Sequence, residues 1–274
     1  MMLSAARRWR RIYGLGTGVL ALVVGAGVVP AAPANAVDRE VTSADQEYYP
    51  YYQLASLHSQ GYTGEGAIIA MIDGHVNPNI PELAGATIEN KSPCTVRSLP
   101  ENADHGTAVA QVLVAPKFGV APGATLYTYD LGYSEEEVGA DCATAGVYAR
   151  GEADTSLLIE QAINDGAHII SISSNYPLYN EDLRWAMARA ISRGVIVVAA
   201  MGNESTEDPA DTLPLWSGIC GVGAINADGS LTEYSNWGNG VETVALGKII
   251  VRSGTSGEVL TMQGTSFATP IVAG

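Results

Sequence analysis

Residues 67–74, Ala-Ile-Ile-Ala-Met-Ile-Asp-Gly, form an apolar run that ends abruptly at a carboxylate and a glycine. Such a run, rich in isoleucine, predicts a strand that is buried on both faces and presents Asp73 at its C-terminal end. Similar apolar runs begin at Thr125, Ile169 and Val195, with helical patterns between them. This alternation predicts an α/β fold with three layers, in which helices cover both faces of a mainly parallel β-sheet.

The predicted elements alternate along the chain. Helices are expected at residues 51–60, 105–114, 156–165 and 181–193, and strands at 67–72, 125–129, 169–173 and 195–200. The long polar stretches 78–103 and 133–152 are expected to be loops. Because parallel strands end at the same edge of a sheet, Asp73 and Asn203 should meet in the crevice where ligands bind in such folds.

A second informative stretch, residues 264–274, has the sequence Gly-Thr-Ser-Phe-Ala-Thr-Pro-Ile-Val-Ala-Gly. A glycine and a hydroxyl residue precede Ser266, and Pro270 follows, which predicts a serine and a proline within the first turn of a helix. The positive end of the helix dipole would there favour an alkoxide-like nucleophile. Taken alone, the same tripeptide is an ordinary helix N-cap more often than not.

Two further polar residues follow recognisable patterns. His105 begins the small-residue run His-Gly-Thr-Ala-Val-Ala, and Asn203 follows the apolar run 195–200 after Met-Gly. Each residue alone has an ordinary interpretation as a turn or helix-start residue. In the order Asp, His, Asn, Ser, however, the four motifs together resemble the subtilisin-like serine peptidases (subtilases), from about Gly64 to the last residue.

The resemblance implies a subtilisin-like fold and a serine endopeptidase activity. Ser266 would be the nucleophile and His105 its general base. Asp73 would orient the imidazole, and Asn203 would donate its amide to the oxyanion together with the backbone N–H of Ser266. The resemblance also implies that peptide or protein substrates are the partners.

The substrate would bind as an extended strand beside Ser173, Ser174 and Asn175, with Gly202 on the opposite wall of the cleft. Family members usually have Ser-Leu-Gly-Gly where this chain has Ser-Ser-Asn-Tyr at residues 173–176. Side chains in place of glycines are expected to reshape this cleft, because glycine permits close backbone approach.

A second departure lies at the aspartate motif. The usual Asp-Thr/Ser-Gly is here Asp73-Gly74-His75, so a hydroxyl is missing and an additional imidazole is present. These departures leave a second hypothesis open, namely a catalytically inactive subtilase-like protein that binds peptide or a partner protein.

The first 36 residues have the pattern of a secretory signal peptide. Four arginines precede the apolar stretch 14–29, and Ala-Asn-Ala at residues 34–36 matches a cleavage site. An uncleaved membrane anchor is the alternative. We therefore expect a secreted, extracellular protein with a short N-terminal extension at 37–48 and a subtilase-like peptidase domain at 49–274. Since family members continue well beyond the nucleophile, the resemblance implies that this domain is C-terminally incomplete.

Charge and cysteine content add further expectations. The formal charge of −15 becomes −19 once the four arginines of the signal peptide are removed, which argues against nucleic acid or an anionic membrane as a stable partner. We expect a monomer that requires no cofactor; structural calcium would suit the charge, but no ligand spacing identifies a site.

Cys94 and Cys142 lie in polar stretches and are the expected disulfide pair, whereas Cys220 lies in an apolar run and is expected to be a buried thiol.

Overall fold

The structure, a computed structural model, describes residues 39–134, 136–145, 148–149, 152–153, 155–174, 181–209 and 212–274. The expected signal peptide and Asn175 lie outside these described residues. Within them, no helix combines the length and the apolar character needed to cross a bilayer.

The elements follow one another along the chain as expected for an α/β protein. The helices are α1 (Tyr48–Tyr51), α2 (Leu54–Ser59), α3 (Pro100–Val114), α4 (Ala140–Ala145), α5 (Thr155–Asn164), α6 (Glu181–Ser192) and α7 (Thr265–Ala273). The strands are β1 (Ile68–Asp73), β2 (Thr87–Asn90), β3 (Thr125–Asp130), β4 (Tyr148–Ala149), β5 (Glu152–Ala153), β6 (Ile169–Ile172), β7 (Ile196–Ala200), β8 (Ile219–Ile225), β9 (Thr243–Leu246), β10 (Lys248–Arg252) and β11 (Val259–Gln263). Short 3₁₀ turns lie at Ser43–Asp45, Pro81–Leu83 and Leu213–Leu215.

Seven strands form one parallel sheet in the order β2-β3-β1-β6-β7-β8-β9. Strands β10 and β11 form an antiparallel hairpin that leads into α7, and β4 pairs with β5. The mainly parallel sheet predicted from the alternating pattern is confirmed. Since β1 lies inside the sheet between β3 and β6, its C-terminal residue Asp73 lies away from the two edge strands.

The side chains of β1 alternate between two hydrophobic clusters. Ile69 and Met71 pack in the cluster that contains residues of α3 and α7, and Ala70 and Ile72 pack in the cluster formed with α5 and α6. Successive side chains of a strand point to opposite faces, so helices cover both faces and the three-layer prediction is confirmed. Burying each large aliphatic side chain contributes about 1.5–3 kcal/mol.

Several predicted boundaries were wrong for local physical reasons. Residues 101–104, predicted as loop, form the first turn of α3 because Pro100 occupies a helix-start position where its missing N–H costs nothing. The helix predicted at 51–60 is divided at Gln53, whose φ of 55° is left-handed. The polar stretches 78–103 and 133–152, predicted to be loops throughout, also contain β2 and α4.

Pro270 also differs from its predicted place. It lies inside α7 and not in the first turn. Proline has no N–H to donate, so the carbonyl of Ser266, four residues earlier, loses its usual helical partner.

The N-terminal segment that was expected to be a short extension takes part in the core. Val41 and Tyr48 are fully buried. The N–H of Val41 donates to Glu82, which also accepts two hydrogen bonds from the buried guanidinium of Arg252. Arg252 in turn donates to the carbonyl of Arg39, so this segment is fastened to the end of β10.

The expected disulfide between Cys94 and Cys142 is present, with a Cα–Cα distance of 4.9 Å. Cys142 is buried in α4, whereas an exposed loop was expected. Cys220 is unpaired as expected, but it is half-buried. Burial raises the pKa of its thiol, and the charge of Glu242 adds to this effect.

Replacing both Cys94 and Cys142 by serine should lower the free energy of unfolding by about 2–4 kcal/mol, because the bridge restricts the unfolded chain over a separation of 48 residues. Urea unfolding of wild type and variant measures the loss. Reductant should destabilise the wild type and leave the double variant unchanged, and Cys220→Ser serves as the control thiol substitution. Equal stability of wild type and double variant would contradict the prediction.

Candidate active site

Asp73 and His105 form a direct hydrogen bond, with 2.7 Å between Oδ1 and Nδ1. Asp73 is completely buried at the end of β1, and the His105 side chain on α3 is 25% exposed. The N–H of Gly74 donates to the same carboxylate oxygen at 2.7 Å. Since Nδ1 is engaged, Nε2 is the imidazole nitrogen left to exchange a proton with another group.

Two opposing effects act on the pKa of His105. Burial lowers the pKa, but the negative charge of Asp73 and its hydrogen bond outweigh burial, so the pKa is raised above its ordinary value. The second carboxylate oxygen of Asp73, Oδ2, is buried and has no hydrogen-bond partner among the described residues. The orientation of this carboxylate therefore depends on Oδ1 and its two donors.

The missing hydroxyl at residue 74 has a steric cause. A Cβ at Gly74 would lie 2.0 Å from the carbonyl oxygen of Asn102, and a Cβ at Gly106 would lie 2.0 Å from the carbonyl oxygen of Gly74. The first turn of α3 therefore occupies the space where a side chain at residue 74 would begin. Backbone atoms contact each other here in a way that only glycine permits.

Gly74→Ser, which restores the family's usual residue type, should lower the free energy of unfolding by about 1–3 kcal/mol, because the new Cβ forces α3 away from β1. Chemical unfolding measures this loss. Gly223→Ala is a matched control, since its added methyl would meet movable side-chain atoms, the nearest at 3.2 Å. A serine variant as stable as the wild type would show that α3 can move away from β1 without loss of stability and would refute the steric explanation.

Asn203 is fixed against the start of α7. Its Oδ1 accepts hydrogen bonds from the backbone N–H of Thr265 at 2.8 Å and from the Thr265 hydroxyl at 3.1 Å. A backbone N–H can donate only to the oxygen, so the orientation of the amide is determined and Nδ2 is left as a donor. No acceptor for Nδ2 occurs among the described residues. The amide nitrogen of Asn203 thus lies beside the first turn that carries Ser266.

The ring of His105 contacts the ring of Phe267, with centroids 5.4 Å apart. Phe267 directly follows Ser266 in α7, so this contact brings the Asp73–His105 pair to the same helix turn as Asn203. The hydroxyl of Ser266 forms no hydrogen bond within the described part of the chain. The four residues predicted to be catalytic therefore surround the N-terminus of α7.

Of the four residues predicted to bind substrate, the structure describes Ser173, Ser174 and Gly202. Ser173 and Ser174 follow β6, and their hydroxyls are buried without a partner among the described residues. Gly202 is buried; its N–H donates to Thr265, and its carbonyl accepts from Asn236. Both backbone groups of Gly202 are thus used inside the protein, and its contribution to a cleft is the absence of a side chain.

The additional imidazole, His75, pairs with Asp130 at 2.8 Å. Asp130 ends β3 directly beside Asp73 in the parallel register, and Asn90 donates to the same carboxylate oxygen. The hydrogen bond to Asp130 raises the pKa of His75, against the opposing effect of burial. The sequence had indicated an unusual histidine here but not its partner.

The raised pKa of His75 predicts a pH-dependent contribution to stability. The stabilisation is complete below the unfolded value of about 6.5 and is lost as the pH rises through the higher folded value. The free energy of unfolding of wild type minus that of His75→Asn should therefore be positive at pH 6 and decline towards pH 9. The half-exposed ring limits the difference to under about 1 kcal/mol. A difference that stays constant over this range would contradict the pairing.

Two residues that support His105 were not found by sequence reasoning. Glu137, fully buried, accepts from the N–H of Leu99 and the amide of Asn102 at the start of α3, both at 2.8 Å. Asp104 accepts three hydrogen bonds from the turn after β10, two of them from Thr255. Nothing in the polar stretches that contain them marks these carboxylates, because their partners are distant in sequence.

Within the described ranges, no group of three or more His, Cys, Asp or Glu side chains is arranged to hold a metal ion.

The chain is similar to known proteins over most of its length. A sequence model of the subtilase family matches residues 64–274. Subtilisin E of Bacillus subtilis (strain 168) is 30% identical over 230 residues, which cover 80% of this chain and 56% of that protein. Subtilisin BL of Lederbergia lenta is 31% identical over 233 residues, covering 81% and 79%. The chain thus spans little more than half the length of Subtilisin E.

Solved structures show the same fold. The prenylagaramide maturation protease PagA matches with a TM-score of 0.64 and 28% identity, over 81% of this chain and 77% of that one. A cold adapted subtilisin-like serine proteinase matches with a TM-score of 0.58 and 26% identity, over 78% and 74%.

Proposed function

The chain belongs to the subtilase family, and we propose that it is a secreted serine endopeptidase. The observation that carries the proposal is the buried Asp73–His105 hydrogen bond beside the helix turn of Ser266. A base with a raised pKa, a serine without a competing hydrogen bond and a free amide donor converge at this turn. This combination suits nucleophilic acyl transfer.

In the proposed reaction, Nε2 of His105 takes the proton of Ser266 as Oγ attacks the carbonyl carbon of the peptide bond. Asp73 stabilises the imidazolium that forms. Nδ2 of Asn203 and the backbone N–H of Ser266 donate to the oxyanion. His105 then returns the proton to the leaving amine, and water hydrolyses the acyl-enzyme with His105 again as the base.

The proposed substrates are peptides or proteins that bind in an extended conformation beside Ser173, Ser174 and Asn175, with Gly202 across the cleft. The position of this segment supports the proposal: it follows β6, which pairs with β1, the strand that ends at Asp73. We propose that the protein acts as a monomer and does not require a cofactor.

The alternative is a catalytically inactive subtilase-like protein that binds peptide or a partner protein without cleaving it. The unpartnered Oδ2 of Asp73 is the observation that favours this alternative, because a poorly fixed carboxylate would orient His105 less well. Labelling with a fluorophosphonate distinguishes the two functions, since the reagent modifies only an activated serine. Modification of Ser266 supports the peptidase, and an unmodified, folded protein that still binds peptide supports the alternative.

Ser266→Ala should abolish peptide hydrolysis and fluorophosphonate labelling without unfolding the protein, because it removes the nucleophile and leaves the helix start intact.

Asn203→Ala should lower kcat by about 10²–10³ with little change in KM, the range known for the loss of such an oxyanion donor in this family. Steady-state kinetics with a chromogenic peptide measure both effects. An Asn203→Ala variant as active as the wild type would remove the assignment of Asn203.

A further inference from the structure

The loop that carries Asn203, residues 201–206, is held only in part by backbone hydrogen bonds. The N–H groups of Met201 and Ser205 donate to the carbonyls of Val222 and Tyr234, and the carbonyl of Thr206 accepts from Trp237. The loop follows the end of β7, and both Gly202 and Ser205 adopt left-handed conformations, with φ values of 97° and 54°. The side chain of Asn203 is held to Thr265 through Oδ1, but this contact alone does not fix the backbone of an exposed loop. The carbonyl of Met201 and the N–H groups of Glu204 and Thr206 have no backbone partner within the described residues, so a side chain must satisfy them.

Asn236 supplies that support from the opposite side. It is fully buried, and its Oδ1 accepts from the backbone N–H groups of Glu204 at 3.1 Å and Thr206 at 2.9 Å. Its Nδ2 donates to the carbonyl of Met201 at 2.8 Å and to the carboxylate of Glu204 at 2.6 Å. Its own N–H donates to the carbonyl of Gly202 at 3.0 Å. These five hydrogen bonds reach the loop on both sides of Asn203.

The chemistry of the contact requires asparagine. Oδ1 must accept two backbone N–H groups while Nδ2 must donate to a carbonyl and a carboxylate, so the side chain needs both functions on a short stem. Aspartate would place a second negative charge against Glu204, and alanine would leave buried backbone groups unpaired. The neighbouring Ser235 is almost as buried; its hydroxyl accepts from the N–H of Ala224 in β8 and donates to the carbonyl of Asn236, but it forms no hydrogen bond with residues 201–206 within the described chain.

We propose that Asn236 is a positioning residue that holds Asn203 in place to donate to the oxyanion, an inference that rests on the proposed peptidase function. Asn236 does not touch the substrate and acts by fixing the backbone of residues 201–206. A donor aimed at a developing charge is effective only in a narrow geometry, and a displacement of about 1 Å can cost about 10²-fold in rate.

The test is a double-mutant cycle on the full chain with peptide hydrolysis as the readout. Asn236→Ala should lower kcat by about 10–100-fold with KM changed by less than about threefold. When Asn203 is already alanine, adding Asn236→Ala should change kcat by less than about threefold, because the donor that Asn236 positions is already absent. Ser235→Ala is the matched control and should leave kcat near the wild-type value in both backgrounds.

Amide hydrogen exchange provides a readout that does not depend on activity. In Asn236→Ala the amides of Glu204 and Thr206 should exchange faster than in the wild type, while those of β7 remain protected. Two results separate this inference from the proposed function. Absence of fluorophosphonate labelling at Ser266 in the wild type would contradict the peptidase function. Unchanged exchange of the two amides in Asn236→Ala would contradict the support by Asn236, whatever the labelling shows. An equal loss of kcat in both backgrounds would likewise overturn the positioning role.

If Asn236→Ala does not fold, Asn236→Asp decides the question, since it keeps the acceptor for both N–H groups. Its loss of kcat should be smaller and should again disappear in the Asn203→Ala background. Adding Glu204→Gln removes the charge repulsion and restores the side-chain hydrogen bond with donor and acceptor exchanged, so part of kcat should return. Failure of this second change to recover any activity would contradict the proposed contact.

Discussion

The close approach of two backbones at Gly74 and Gly106 is the constraint on which the candidate active site depends. Each glycine lies where a Cβ would fall 2.0 Å from a carbonyl oxygen of the facing segment. This contact lets α3 lie against the end of β1, so that the carboxylate of Asp73 meets the imidazole of His105 at 2.7 Å. A charge-assisted hydrogen bond in a buried setting is strong only while this geometry holds.

Around this contact, polar side chains form the hydrogen bonds that backbone ladders form inside the sheet. The strands end at the edge where the site lies, and the loops beyond them still carry backbone groups that need partners. Glu137 satisfies the start of α3, Asp104 satisfies the turn after β10, and Asn236 satisfies the loop of Asn203. Each is an ordinary polar residue of its segment by sequence, yet each determines where a candidate catalytic group lies.

The sequence predicted the parts of the molecule whose signals are local. Continuous apolar runs located β1, β6 and β7, and the polar residues that follow β1 and β7 could be assigned to one edge because parallel strands share a direction. The hairpin of β10 and β11 and the role of Asn236 were not predicted. Both depend on pairings between distant segments, such as the 32 residues that separate Glu204 from Asn236, and one sequence contains no signal for them. The helix start at Pro100 was missed because Glu101 and the polar residues after it resemble a loop in composition.

The altered motif Asp73-Gly74-His75 has a coherent explanation in the charges at the sheet edge. Asp73 and Asp130 end neighbouring strands in register, and both side chains are almost completely buried. Two such carboxylates side by side would repel each other. Each has its own imidazole instead, His105 at 2.7 Å and His75 at 2.8 Å. Glycine at residue 74 lets α3 approach Asp73. Histidine at residue 75 gives Asp130 a partner that becomes cationic on protonation. The charge of Asp73 is therefore left to act on His105.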